Sequence, residues 1–218
     1  MDPICIIRKM TLTRTVILGN WEVPPVRPEQ FPVVPHAQAA RAIGHPEAPS
    51  LLRLAREGLQ VVDPVEAHLL LEEAARRLSW RDPSGAALAF YPSLQELMRA
   101  GVPPFVLRPL KLRLAQFLET YLALLDERGS LDEAQVFGRA SPRPRPILLW
   151  GYPLLPPSEL EFLERLAAQG SEVYLPWGKE PAFTRTQAIA HWFQQRGWQV
   201  IQGPAWSPPK PVEVLSFS

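Results

Sequence analysis

Two hydrophobic patterns alternate along the chain. At 147–150 four apolar residues, Ile-Leu-Leu-Trp, stand in a row, the pattern of a strand buried on both faces of a parallel sheet, and Gly151 stops it. Pro156 and Pro157 suit a first helical turn, where a missing N–H costs nothing. Leu160, Leu163, Leu166 and Ala167 then recur at helical spacing, Gly170 fits the left-handed position after the last turn, and 172–175 start another strand. The spacing predicts a right-handed βαβ unit over 147–177. Upstream, Val16, Ile17 and Leu18 in 11–18 read as a first strand ended by Gly19. Prolines exclude continuous helix over 20–30. Residues 31–34 make a second short strand, and 36–43 a short helix closed by Gly44.

Between these stretches the period is helical. Residues 50–58 form a short amphipathic helix. Asp63-Pro64-Val65-Glu66 is a helix start with an acidic cap, and the helix it opens runs to about Leu78 with Val65, Leu69, Ala75 and Leu78 inward. Glu72-Glu73 before Arg76-Arg77 gives ion pairs one turn apart on a solvated face. Further helices are predicted at 92–100 and 107–128; in the second, Leu107, Leu110, Leu114, Phe117, Leu118, Tyr121, Leu124 and Leu125 step by three and four. The resulting organisation is an α/β domain begun by 1–49, an inserted all-helical subdomain at 50–138, and the rest of the α/β domain at 139–218, re-entered through the extended Gly-Arg-Ala-Ser-Pro-Arg-Pro-Arg-Pro of 138–146. The strand-bearing stretches must pair with each other to complete one parallel sheet. Alternation at 212–217 predicts a last strand, and a strand ending a chain predicts that more protein follows it.

Composition narrows the chemistry. Cys5 is the single cysteine of 218 residues, so an internal disulfide and a cysteine-built metal cluster are excluded. No apolar run reaches the roughly 18 residues that span a bilayer, and the first ten residues lack the apolar core of a leader; the expectation is a cytoplasmic protein without membrane contact. The net charge of +1 gives no global steering toward nucleic acid, so any such contact must be local. Arginine supplies 19 of the 23 basic residues, and 26 prolines accompany a single Asn20, a bias that fits a thermophile or a high-GC genome.

Catalytic sets are not apparent. A phosphate-cradling loop needs backbone N–H groups converging on a helix start, with Gly for close approach and Lys for the terminal phosphates. After Leu18 the chain reads Gly-Asn-Trp-Glu-Val-Pro-Pro-Val-Arg-Pro, without Lys and with prolines removing donors. The strand at 147–150 ends in Trp150-Gly151-Tyr152, where a nucleotide hydrolase would carry its metal-holding acid. His36, His45, His68 and His191 show no metal-ligand spacing, and no Gly-x-Ser-x-Gly elbow occurs. Glu159 fits a helix first turn, where the dipole favours an acid. Candidate nucleic-acid contacts are Arg139, Arg143 and Arg145 on the linker, Arg108 and Lys111 on one face at the start of the long helix, and Trp177 at a strand's carboxyl end, with Trp21 and Trp206 in loops.

The run Gly151-Tyr152, Pro156, Glu159-Leu160 and Leu163 resembles the N-terminal helicase-like region of the B subunit of AddAB/RexAB ATP-dependent helicase–nucleases. Weaker echoes lie at 31–35, 50–57, 63–78, 182–200 and 212–217, in the same order. The resemblance implies a RecA-like sheet of the P-loop NTPase kind, inactivated, with an inserted helical subdomain. It implies a non-catalytic scaffold that guides DNA in double-strand end processing and recombinational repair. The implied partners are DNA and an AddA/RexA-like motor subunit. The family's magnesium-dependent nuclease and iron–sulfur cluster lie near its C-terminus, so the resemblance implies no cofactor within these residues. The rival expectation from the residues alone is a doubly wound enzyme or a nucleotide- or sugar-binding protein, with its pocket at the strand carboxyl ends.

Overall fold

Five parallel strands form one sheet in the order β2-β3-β4-β1-β5: β1 (Thr15–Gly19), β2 (Phe31–Val33), β3 (Ile147–Leu149), β4 (Glu172–Pro176) and β5 (Gln199–Gln202). The structure is a computed structural model, and it describes residues 13–19, 22–178 and 183–203. The last predicted strand, at 212–217, lies outside the described residues. Two compact units share the chain: a sheet unit of Met1–Ser50, Pro144–Leu155 and Leu166–Ser218, and a helical unit of Leu51–Arg143 and Pro156–Arg165.

In the sheet unit, burial follows position in the sheet. All of β3 is buried, and Val16, Leu18, Val173 and Leu175 bury the centre. Each such side chain contributes about 1.5–3 kcal/mol by leaving water. The edges read differently. β2 carries Pro32, tolerated because an edge strand need not donate on its outer side. β5 is mostly exposed and begins and ends in Gln, which explains why no hydrophobic run announces it. Of the helices, α1 (Ala37–Ala42) starts on His36, whose Nδ1 accepts the Ala39 N–H at 3.2 Å; this histidine is a cap. Val34, Ala39, Ala40, Ile43, Leu148 and Trp150 form one apolar cluster, with Tyr174 against it. The predicted βαβ unit has its two strands adjacent and parallel, Leu148 opposite Glu172 and Leu149 opposite Val173.

In the helical unit, α2 (Leu51–Ala55) leads to α3 (Pro64–Arg77), which begins as expected: Asp63 Oδ1 accepts the Glu66 N–H at 2.8 Å. The expected ion pairs form, Arg76–Glu72 at 2.9 Å and Arg77–Glu73 at 3.4 Å. The inward face differs. Val65 and Leu69 are 70% and 57% exposed, while Ala67, Leu70, Leu71, Ala74 and Ala75 are buried. The packed stripe combines these alanines with Leu70 and Leu71; of the residues expected inward, Ala75 is buried and Leu78 packs against the core, while Val65 and Leu69 face out. Next, α4 (Pro83–Arg99) starts nine residues before the predicted 92–100, capped by Asp82, whose Oδ1 accepts the Gly85 N–H at 3.0 Å; Pro92 sits inside on an exposed face. The helix expected over 107–128 is two: α5 (Pro104–Leu107) and α6 (Leu112–Glu127). Pro109 lacks the N–H that continuity needs, and Leu110 turns out to solvent at 76% exposure. A single 3₁₀ turn (Glu133–Gln135), α7 (Val136–Arg139) and α8 (Pro157–Leu166) complete the unit, and α9 (Thr184–Gln194) lies in the sheet unit.

One buried carboxylate ties the helical unit together. Asp132 is fully buried; it accepts Tyr121 Oη at 2.7 Å, Tyr91 Oη at 3.0 Å and the Ala134 N–H at 2.8 Å. Gln135 returns a bond to the Asp132 N–H at 3.1 Å. Burial, then the Asp132 charge, pushes both phenols well above the usual value of 10.0. D132A leaves two hydroxyls and an N–H without their acceptor and is expected to destabilise the protein by about 3 kcal/mol or more in urea denaturation, against about 1 kcal/mol for Y91F. Tyr174 is also pushed up, to about 12, by burial and by Glu172. Above pH 10 the unfolded chain gives up phenolic protons that the folded chain keeps, so stability falls as pH rises from 10 toward 12. Ultraviolet titration is expected to show Tyr91, Tyr121 and Tyr174 ionising together with unfolding.

Candidate functional site

The carboxyl edge of the sheet is where α/β sheets receive ligands, most often where neighbouring connections run opposite ways. Here that place is the β1–β4 boundary, since the chain leaves β1 toward β2 and leaves β4 toward β5 on the other side. The backbone there is spent on itself. Trp177 donates its N–H to Gly19 O at 3.1 Å, and Gly203 donates to Leu18 O at 2.6 Å. A Cβ on Gly203 would lie 3.1 Å from that same Leu18 carbonyl, so the close approach depends on glycine. Asn20 and Trp21 lie outside the described residues, and from Glu22 the chain runs without helix or strand to Gln30.

Along the same edge, Trp150 donates its N–H to Val33 O at 3.2 Å, and Trp150 and Tyr152 are both buried. Gly151 turns between them at φ +87°; an added Cβ would stand 3.1 Å from Pro35 Cδ. At the described exits of β1, β3 and β4 (18–19, 150–152 and 177–178) there is no acid, histidine or cysteine. Among the described residues no group of three or more such side chains could hold a metal ion, and no helix is long and apolar enough to cross a membrane.

The amino edge is polar but structural. Arg27 is ion-paired to Glu172, which also accepts Tyr174 Oη at 3.3 Å. Buried Gln30 donates to Gly170 O at 3.1 Å. Ser171 Oγ accepts the Ile147 N–H at 3.1 Å and donates to Ala168 O at 2.6 Å.

The predicted contact residues fall in both units, Arg108, Lys111, Arg139 and Arg143 in the helical unit and Arg145 and Trp177 in the sheet unit. Trp177 is half-buried at the carboxyl end of β4, as expected. Arg145, in the sheet unit, lays its guanidinium 4.0 Å over the Phe31 ring, and its backbone bonds to 166 and 168. Arg139 ends α7 and does not lie on an extended linker; Arg143 follows it, and both are exposed. Arg108 caps the end of α5 and meets both Glu119 oxygens at 2.8 Å, whereas Lys111 precedes α6, exposed. Because Pro109 breaks the helix, Arg108 and Lys111 do not share one helical face. Glu159, in the first turn of α8, is raised by burial, with Arg99 opposing.

A groove in the helical unit was not legible beforehand. Its hub is Trp80, whose indole lies on Phe117 (centroids 4.9 Å, 32°) with Phe90 across it at 5.3 Å and 75°. A cavity of about 680 Å³ on one side is lined by Trp80, Phe90, Ser93, Leu112 and Leu114 with Lys111 and Arg113. Another of about 520 Å³ is lined by Ser79, Trp80, Arg81, Asp82, Arg113 and Gln116. Ser79 holds φ +55°, the one non-glycine in that region among the described residues, at a cost of about 1–2 kcal/mol. Its conformation lets the Trp80 N–H reach Ala75 O at 3.0 Å and so fixes where the indole leaves the end of α3. In the sequence, Trp80-Arg81 before Asp82-Pro83 marks a junction between two helices but not what packs on the indole.

No protein-family model matches the chain, and no curated protein matches it. G151A is expected to lose about 1–2 kcal/mol to left-handed strain plus a further penalty for crowding Pro35. G129A, with φ +61° and nothing within 4 Å, should lose the strain part alone; urea midpoints of the two variants test the difference.

Proposed function

We propose that this chain is a non-catalytic, helicase-like scaffold that guides DNA, of the kind found in RexB/AddB-like exonuclease subunits acting on double-strand ends. The sheet is α/β and all parallel, with β4 seated between β1 and β3, an order compatible with a RecA-like fold. On that reading the β1 exit corresponds to the phosphate loop and the β3 exit to the acidic position. The observation that carries the reading is the composition of these exits: Trp150-Gly151-Tyr152 stands where the acid would be, and the N–H groups of Trp177 and Gly203 are already bonded to β1 carbonyls. Among the described residues of these exits, 18–19, 150–152 and 177–178, a triphosphate would meet no lysine and no carboxylate for its magnesium.

DNA contact on this reading falls to exposed arginines. Arg139 and Arg143 are exposed and carry no ion pair among the described residues, whereas Arg108 is neutralised by Glu119 and Arg145 is packed on Phe31. Guanidinium groups of this kind suit phosphate oxygens. The parent subunit would hold the nuclease, its magnesium and its cluster, and the motor would be the partner.

Fluorescence anisotropy with single-stranded and forked DNA across a salt series tests the reading. Binding that weakens steeply with salt is expected, and R139E/R143E should reduce the single-strand log–log slope by about 1.4. Calorimetry with magnesium and ATP should show no heat of binding. Salt-independent or absent DNA binding, captured nucleotide, or magnesium-dependent degradation of linear DNA by this chain alone would reject it.

A further inference from the structure

The groove around Trp80 is lined by Lys111 from the candidate DNA contacts but by neither Arg139 nor Arg143, and its chemistry is amphipathic. One side is apolar, with Phe90 36% and Leu112 56% exposed beside Leu114. Its rim is cationic: Arg81, Lys111 and Arg113 are exposed and have no ion pair among the described residues. Other arginines of the same unit are matched, Arg76 and Arg77 with Glu72 and Glu73, Arg108 with Glu119 and Arg128 with Glu66, although Arg139 and Arg143 are not among the described residues. Asp82 is the lone carboxylate in the lining, and its Oδ1 is bound to the Gly85 N–H. The groove is therefore uncompensated. The field adds to this: α6 opens on Lys111 with no side-chain cap and no acid in its first turn, so two cations sit at the end where a helix favours negative charge.

We infer that this groove docks an acidic, amphipathic peptide segment of a partner protein, its apolar side chain entering beside Phe90 and Leu112 and its carboxylates meeting Arg81, Lys111 and Arg113. The lining favours a side chain over a nucleobase. One face of the indole is already occupied by Phe117, Phe90 stands across it, and the remaining apolar lining is leucine, which fills around an aliphatic or aromatic side chain and offers no platform for stacking. Charge complementarity then selects acidic neighbours in the peptide and sets its orientation.

The test uses the full chain and a displayed library of random dodecapeptides, with selected sequences synthesised and titrated by anisotropy. Enriched peptides are expected to be net negative with at least one Leu, Ile, Phe or Trp, and to lose at least tenfold in affinity against R81E/R113E and against L112E. All three positions are exposed, so these variants should keep the parent's urea midpoint to within a small shift. Peptides whose acids are replaced by lysine should not bind. The inference is overturned if no peptide is enriched, if enriched peptides bind the variants equally, or if oligothymidine binds the groove and loses affinity in R81E/R113E while acidic peptides do not. R139E/R143E should leave peptide binding unchanged, which separates this result from the DNA reading.

Discussion

Everything in the sheet unit depends on one pairing, β4 lying parallel between β1 and β3. Thr15 faces Glu172 and Gly19 faces Pro176 on one side of β4; Leu148 and Leu149 face Glu172 and Val173 on the other. Without β4 the first strand would have only the exposed β5 as a neighbour, and β3 only the short, proline-bearing β2. The central position also fixes what each strand end can offer. Gly19 and Trp177 come side by side because their strands do, and the backbone N–H of Trp177 is bonded to the Gly19 carbonyl.

The polar groups at the other end act as a clasp for that pairing. Ser171 precedes β4 and binds the first N–H of β3; Arg27 and Gln30, just before β2, reach Glu172 and Gly170. Each satisfies a group that burial would otherwise penalise. The edge at which β4 starts is thus specified by side chains, and the edge at which it ends by main chain. At the described exits of the strands the backbone N–H groups of Trp150, Trp177 and Gly203 are bonded to carbonyls of neighbouring strands.

Much of this was readable in the residues, and the failures have definite causes. β1, β3 and β4 announced themselves because buried parallel strands are apolar throughout and glycine stops them. β5 did not, since an edge strand of Gln-Val-Ile-Gln carries almost no burial signal. The Asp-Pro start of α3 was legible because a cap is local chemistry. The packed face of α3 was not: alanine says little about direction until a neighbour is present, and Val65 and Leu69 looked more inward than they are. Pro109 could have been weighed as a break between α5 and α6. The Asp132 tyrosine pair and the Trp80 groove were beyond reach, because each requires α4 and α6 to converge on a residue outside both helices.

The division of the sheet unit across the chain bears on how the protein is made. β1 and β2 leave the ribosome early, but their partners β4 and β3 emerge only after the whole stretch from Leu51 to Arg143. That stretch has its own core of Leu70, Leu71, Phe117, Leu118 and Tyr121, drawn entirely from within it, so it can condense while the nascent strands still wait. Val16, Ile17 and Leu18 would spend that interval without their β4 partner, an apolar segment open to wrong association. The prolines between Glu22 and Gln30 and the cationic Arg14 flank this sticky segment on both sides, as gatekeepers flank strands that must remain single until a late partner arrives.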